Sequence, residues 1–143
     1  ASGNLWEIEM GPKGGDELNL ILKGRNYGWP VVSNGDNYDG SPIPDHDTRP
    51  EFEAPKLWWN PSISPAGLMI YSGDAFPQWK GSALIGALSG QGLIRASLNG
   101  TDAAKADRWN LDMRIRDVAQ APDGSLWLLE DGDGGKLMKV SPK

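Results

Sequence analysis

The sequence predicts an all-β chain of short antiparallel strands that forms part of a propeller-type domain. Three observations carry this. Glycine and proline are abundant, at 19 and 11 residues, and many sit in turn dipeptides between short apolar runs. Tryptophan outnumbers phenylalanine 7 to 2, which suits large aromatics packed between short strands. A hairpin unit also recurs: Ser2-Gly3-Asn4-Leu5-Trp6-Glu7-Ile8-Glu9 matches Asp123-Gly124-Ser125-Leu126-Trp127-Leu128-Leu129-Glu130. Repeated hairpins at this spacing indicate radial or stacked β repetition.

Strands are expected, in order, over residues 5–8, 18–22, 67–71, 83–87, 93–98, 115–120, 126–130 and 137–140. Each is a short apolar or alternating run, bounded by turn residues rather than by helix caps. The turns between them include Ser-Gly-Asn, Gly-Gln-Gly, Asn-Gly-Thr and Pro-Asp-Gly-Ser, which suit hairpins. No window keeps an apolar i, i+3, i+4, i+7 stripe for three turns. The best helical candidate, residues 101–109, is short and mostly polar.

Gly81-Ser82-Ala83-Leu84-Ile85-Gly86-Ala87, followed by Leu93-Ile94-Arg95, reads as a diverged third copy of the repeat. In the last copy a strand, residues 115–120, precedes the turn; in the first copy that strand would lie before Ala1. A propeller closes with about 4–8 blades, and this chain accounts for two and part of another. It is therefore expected to be a fragment, or half of a structure that another chain completes.

Composition narrows the chemistry. The net charge is -5 and Lys and Arg are scattered, so the clustered positive charge that a phosphate backbone requires is missing. Without cysteine there are no disulfides, thiolate nucleophiles or thiolate metal sites. No apolar run reaches the ~18–20 residues that span a bilayer. Residues 34–56 hold four prolines, several aspartates and the single histidine, His46. Such an insertion is either a lid or binding loop, or a solvated excursion; His46 is expected at its surface, with Asp36, Asn37 and Asp39 forming turns. Asp131-Gly132-Asp133-Gly134-Gly135 is expected to be a plain turn. Trp6, Trp29 and Trp127 are expected to pack in the core, whereas Tyr27, Trp58 and Trp59 either pack or stack on a planar ligand.

Two patterns carry candidate chemistry. Gly11-Pro12 followed by Asp16-Glu17 offers backbone carbonyls and nearby carboxylates to a hard cation such as calcium; the alternative is a Gly-rich turn with solvated acids. In Met113-Arg114-Ile115-Arg116-Asp117-Val118, strand alternation puts both guanidiniums on one face and Ile115 on the other. Two arginines side by side call for an anion or carboxylate between them; pairing with Asp107, Asp112 or Asp117, or simple solvation, is the alternative.

Three stretches carry a family resemblance: residues 9–19 (Glu-Met-Gly-Pro-Lys-Gly-Gly-Asp-Glu-Leu-Asn), residues 24–30 (Gly-Arg-Asn-Tyr-Gly-Trp-Pro), and Arg114-Ile115-Arg116-Asp117-Val118 with Pro122-Asp123-Gly124. In order and spacing the chain resembles the C-terminal half of the soluble pyrroloquinoline-quinone (PQQ) glucose and aldose sugar dehydrogenases, the glucose/sorbosone dehydrogenase family. The resemblance implies a six-bladed propeller, PQQ held on its top face by calcium, and oxidation of an aldose C1 hydroxyl to a lactone, in a periplasmic or secreted setting. It puts Gly11, Pro12, Asp16 and Glu17 at calcium, and Arg114, Arg116, Ser62 and Ser89 at PQQ. Ser89 stands where the family has a cofactor-contacting lysine, and Met10 where it has a glutamine. The family's histidine base lies in the first half of the propeller, so no catalytic residue is expected in this chain; His46 is not at an equivalent position. The implied partners are the sugar and the N-terminal half. Two rival readings are a non-catalytic propeller binding module that keeps the calcium loop, and a calcium-dependent propeller lactonase or esterase.

Overall fold

A computed structural model describes residues 2–143. Ten strands form three antiparallel sheets, and the described residues contain no α-helix, only two short 3-10 turns. No helix among them is long and apolar enough to cross a membrane. The chain divides into two compact units, one running to Ser64 and the other from Pro65 to Lys143.

In the first unit, strands β1 (Leu5–Glu9), β2 (Asp16–Ile21) and β3 (Leu57–Trp59) form one sheet with β2 in the middle. The register sets Glu7 opposite Asn19, Glu9 opposite Glu17, and Trp58 opposite Glu17. Alternation then gives β2 two faces. Leu18 and Leu20 share one face with Asp16; Glu17 and Asn19 share the other. Tyr27 ties off the end of β2, donating its hydroxyl to the Leu20 carbonyl at 2.6 Å and accepting the Leu22 N–H at 2.8 Å. Residues 34–56 fold without regular structure apart from a 3-10 turn at His46–Thr48. Lys13 and Asp36 exchange backbone hydrogen bonds of 3.0 and 3.1 Å, clipping this segment to the β1–β2 loop. A side chain at Gly15, which has φ +70°, would run into the backbone of Asn34 and Gly35, so the contact requires glycine there.

The second unit holds the remaining strands. β4 (Pro65–Ile70), β5 (Ala83–Ala87), β6 (Gly92–Asn99) and β7 (Asp102–Asn110) make a four-stranded meander. β8 (Ile115–Gln120), β9 (Leu126–Glu130) and β10 (Leu137–Val140) form a three-stranded sheet. Tyr71, Phe76, Leu84, Leu93, Ile115, Val118, Leu126 and Leu128 make the core of this unit, walled by Trp79, which stacks on Phe76 at 4.2 Å between ring centroids. All three copies of the predicted repeat are antiparallel hairpins: β1–β2, β5–β6 and β9–β10.

The structure departs from the sequence reading in three places. Residues 102–109, most of the best candidate in a sequence with no strong helix, belong to β7, a strand that was not expected. The strand is the outermost of its sheet and mostly exposed, so its sequence is polar and lacks the apolar alternation that marks a half-buried strand. β3 was not expected, because its three residues are too few to set a period. Trp29 does not join the core: it is 59% exposed, while Trp6 is buried and Trp127 half-buried.

Tyr71 is fully buried, and its hydroxyl bridges two backbone groups: it donates to the Gly124 carbonyl at 2.7 Å and accepts the Phe76 N–H at 3.1 Å. Tyr71→Phe strands both groups in the interior, so the substitution is expected to destabilise the fold by about 1–3 kcal/mol. Urea unfolding should show a lower midpoint at unchanged slope.

Candidate functional site

In the first unit, the polar face of β2 is a line of carboxylates. Asn19 donates its side-chain amide to Glu9 Oε1 at 2.9 Å, Glu7 Oε2 at 3.2 Å and Glu17 Oε2 at 3.3 Å. Three acids thus converge on one amide because the register sets Glu7 and Glu9 opposite Asn19 and Glu17. His46 covers Glu17, with Nε2 3.3 Å from Glu17 Oε1. It is buried rather than at the surface as expected, because its 3-10 turn folds it onto this strand. Neither ring nitrogen is aligned for a hydrogen bond, and Asn19 Oδ1 also has no donor. Burial pushes the Glu17 carboxyl up to about 8, against the pull of the Asn19 amide; the Glu9 charge adds to the rise. Burial pushes His46 down.

Asp16, the neighbour of Glu17, is only 1% exposed and has the opposite environment. Its Oδ1 accepts the Gly11 N–H at 2.9 Å and the Ser62 hydroxyl at 3.2 Å; its Oδ2 accepts the N–H groups of Ile63 and Ser64, each at 2.7 Å. Ser62 in turn accepts the Gly14 N–H at 3.1 Å. The carboxylate therefore ties both ends of the Gly11–Gly15 loop to the segment after β3, and all its strong acceptor positions are in use. Gly11 itself is enclosed: a side chain there would strike the backbone of Gly14 and Gly15. Beside this loop lies a hollow of about 130 Å³ whose walls include Glu9, Met10, Gly11, Glu17, Tyr27 and Trp29. Among the described residues, no three His, Asp or Glu side chains form a ready-made metal cage.

In the second unit, Arg114 and Arg116 reach one carboxylate. Arg114 donates Nε and Nη2 to Asp131 Oδ2 at 2.9 and 2.8 Å; Arg116 donates Nε and Nη2 to Asp131 Oδ1 at 3.0 and 2.8 Å. Ile115 between them is fully buried, as strand alternation predicts. The acid is none of those expected as partners: Asp107 pairs with Arg95, Asp112 bonds Asn110, and Asp117 accepts the Val118 N–H. Hydrogen bonds from Arg116 and then Arg114 hold the Asp131 carboxyl below its usual range. The arginine side chains remain 47% and 48% exposed. Two solvated charges a few ångströms apart repel by about 1 kcal/mol, whereas holding each arginine still costs about 2 kcal/mol of rotamer entropy. Order is the larger need of this pair, and Asp131 supplies it. Ser89 is exposed in the turn between β5 and β6.

A profile of the Glucose / Sorbosone dehydrogenase family matches residues 1–139. The chain belongs to the glucose/sorbosone dehydrogenase family. Aldose sugar dehydrogenase YliI of Escherichia coli is 43% identical over 99% of this chain and 39% of its own length. Quinoprotein glucose dehydrogenase B of Acinetobacter calcoaceticus is 26% identical over 93% of this chain and 40% of its own. A crystal structure described as glucose dehydrogenase superposes with a TM-score of 0.90 at 45% identity, covering 99% of this chain and 42% of that one. The chain thus spans about two fifths of the length of the relatives it matches.

Of the residues that the glucose/sorbosone dehydrogenase resemblance singled out, the first unit brings together Gly11, Asp16 and Ser62 through hydrogen bonds, with Pro12 in the same loop. Glu17 faces the hollow. The second unit brings together Arg114 and Arg116, while Ser89 lies in the turn between β5 and β6, strands of a different sheet from β8 and β9. Sequence reasoning missed Asn19, Glu7 and Glu9 as companions of Glu17. Period-two spacing, with Glu7 and Glu9 on one strand and Glu17 and Asn19 on the next, was the available signal. It missed Asp131 because the acid was read only as part of a turn.

Asp16→Asn puts an NH₂ against backbone donors, and is expected to destabilise the protein by roughly 2–4 kcal/mol in urea unfolding. The Glu17 proton is bound more tightly folded (about 8) than at its ordinary value of 4.5. Its contribution to stability is therefore complete below about pH 4.5 and is lost as pH rises toward 8. His46 acts in the opposite direction, costing stability as pH falls below its ordinary 6.5. In calcium-free protein, Glu17→Gln should flatten the decline in thermal midpoint between about pH 5 and pH 8; a decline that survives the substitution contradicts the assignment.

Proposed function

We propose that this chain is part of a quinoprotein sugar dehydrogenase that oxidises the C1 hydroxyl of aldoses to the lactone, with PQQ and calcium as cofactors. The observation that carries the reading is the Arg114–Asp131–Arg116 fork in a chain of this family. Two guanidiniums ordered around one carboxylate are a donor set matched to carboxylates, and PQQ carries three. Quinoprotein glucose dehydrogenase B, a relative, supports the same cofactor class.

The residues present fit both groups. Calcium takes about 6–8 hard oxygen ligands, including backbone carbonyls. Glu9 and Glu17 line the hollow beside Gly11, and Asn19, which bonds both acids, has a buried oxygen without a donor. The Gly11 and Pro12 carbonyls and Glu17 are the proposed ligand set; Asp16, whose oxygens already hold four donors, keeps the loop in shape for them. Arg114 and Arg116 hold carboxylates of the quinone.

Conversion of a C1 hydroxyl to a lactone carbonyl removes two electrons and two protons from the sugar. When bound, PQQ supplies the two-electron acceptor. The proton acceptor is assigned outside this chain, since His46 is buried against Glu17 and held toward its neutral form for a packing role. A second reading, a calcium-loop binding module without PQQ, is favoured by one observation: Ser89 is uncharged and exposed at the position the resemblance gives to a lysine.

PQQ titration of the full-length protein in calcium, followed by dye-linked oxidation of several aldoses, separates the readings. Arg114→Ala and Arg116→Ala are each expected to weaken PQQ binding about 10–150-fold. Calorimetry should show calcium binding that Glu17→Gln weakens. Parent-like PQQ affinity in both arginine variants removes the arginines from the cofactor site, and calcium binding without PQQ binding favours the module.

A further inference from the structure

We propose that Asp131 is a positioning residue, which holds Arg114 and Arg116 as one fork presenting its free N–H groups to the carboxylates of the cofactor. The inference rests on the PQQ reading above and concerns a residue that neither the motif nor the resemblance assigned.

The geometry is that of a clamp. Each Asp131 oxygen receives one guanidinium through its Nε and Nη2 edge, at 2.8–3.0 Å. A guanidinium has five N–H groups, so the Nη1 hydrogens of both arginines and the remaining Nη2 hydrogens are left for a ligand. Asp131 is itself anchored: its backbone N–H donates to the Arg114 carbonyl at 2.8 Å. The preceding residue, Glu130, exchanges hydrogen bonds with Lys136, through its N–H to the Lys136 carbonyl and through its carboxylate from the Lys136 N–H. The register of β8 on β9 shifts between Ile115 and Asp117, leaving Arg116 as the extra residue. Such a bulge re-aims a side chain, and Arg116 reaches the same acid as Arg114. Two positive charges and one negative leave the group cationic, so it still attracts an anion.

The alternative role is that of a competitor. If Asp131 merely occupied the arginines, removing its charge would strengthen binding of an anionic ligand. Ordering two half-exposed arginines is the larger effect, so the prediction runs the other way, toward weaker binding.

The test is equilibrium titration of the full-length protein with PQQ, in calcium at fixed salt, read by tryptophan fluorescence. Asp131→Asn and Asp131→Ser are expected to weaken PQQ about tenfold, the loss of order in one arginine, and Asp131→Glu to recover most of that. The thermal midpoint of the PQQ-free protein should move little in all three, because the arginines that Asp131 holds are half-exposed and can return to water. The Nε–H NMR signals of Arg114 and Arg116 should be distinct in the parent and averaged in Asp131→Asn. Parent-like or tighter binding by Asp131→Asn and Asp131→Ser, with Arg114→Ala and Arg116→Ala weakened, overturns the positioning role and leaves the PQQ reading intact. If neither arginine variant loses affinity, both that reading of the arginines and the role of Asp131 fall together.

Discussion

An extended strand turns alternate side chains to opposite faces, and in each unit that constraint separates packing from chemistry. In β2 it sends Leu18 and Leu20 to one side and Glu17 and Asn19 to the other. At the start of β8 it buries Ile115 and leaves Arg114 and Arg116 outward. Neither site is made by a loop alone. Each proposed site joins loop or strand-end groups to the polar face of a strand whose apolar face is committed to a core, so Glu17 and Arg116 inherit the rigidity of the packing behind them.

Asp16 and Glu17 show how far one step along such a strand can change a carboxylate. Asp16 is buried with its oxygens fully engaged by backbone and hydroxyl donors. Glu17 is buried among other acids with a single amide to share, so its proton is retained to about pH 8. The first has every acceptor position filled; the second is an under-satisfied acid next to an oxygen, Asn19 Oδ1, with no donor at all. Stability is given up there, and a hard cation would recover it.

Much of this was legible in the sequence. The hairpins were visible because Leu-Trp-Glu-Ile and Leu-Trp-Leu-Leu follow turn residues in both copies, and four of the expected strands have their observed bounds. The shared face of Arg114 and Arg116 followed from period two. Their true partner did not: Asp131 is 15 residues beyond Arg116, and only the β8–β9 pairing brings it close. His46 was misjudged for the same reason, since a Pro- and Asp-rich segment reads as solvated until its tertiary contact with Glu17 is known. Asp16 was grouped with Glu17 by spacing, and spacing alone says nothing of how many donors surround each.

Among the described residues β7 has a strand on one side only, and that bears on what could pair with it. Nine residues of extended backbone with one open edge could pair with another chain. Asp102, Lys105, Asp107 and Arg108 all lie along it, and the β6–β7 register slips between Arg95 and Ala96. A second strand docking there would have to strip water from these charges and follow an irregular ladder. The polarity that hides this strand from a search for apolar alternation is also what makes its open edge a costly one to cover.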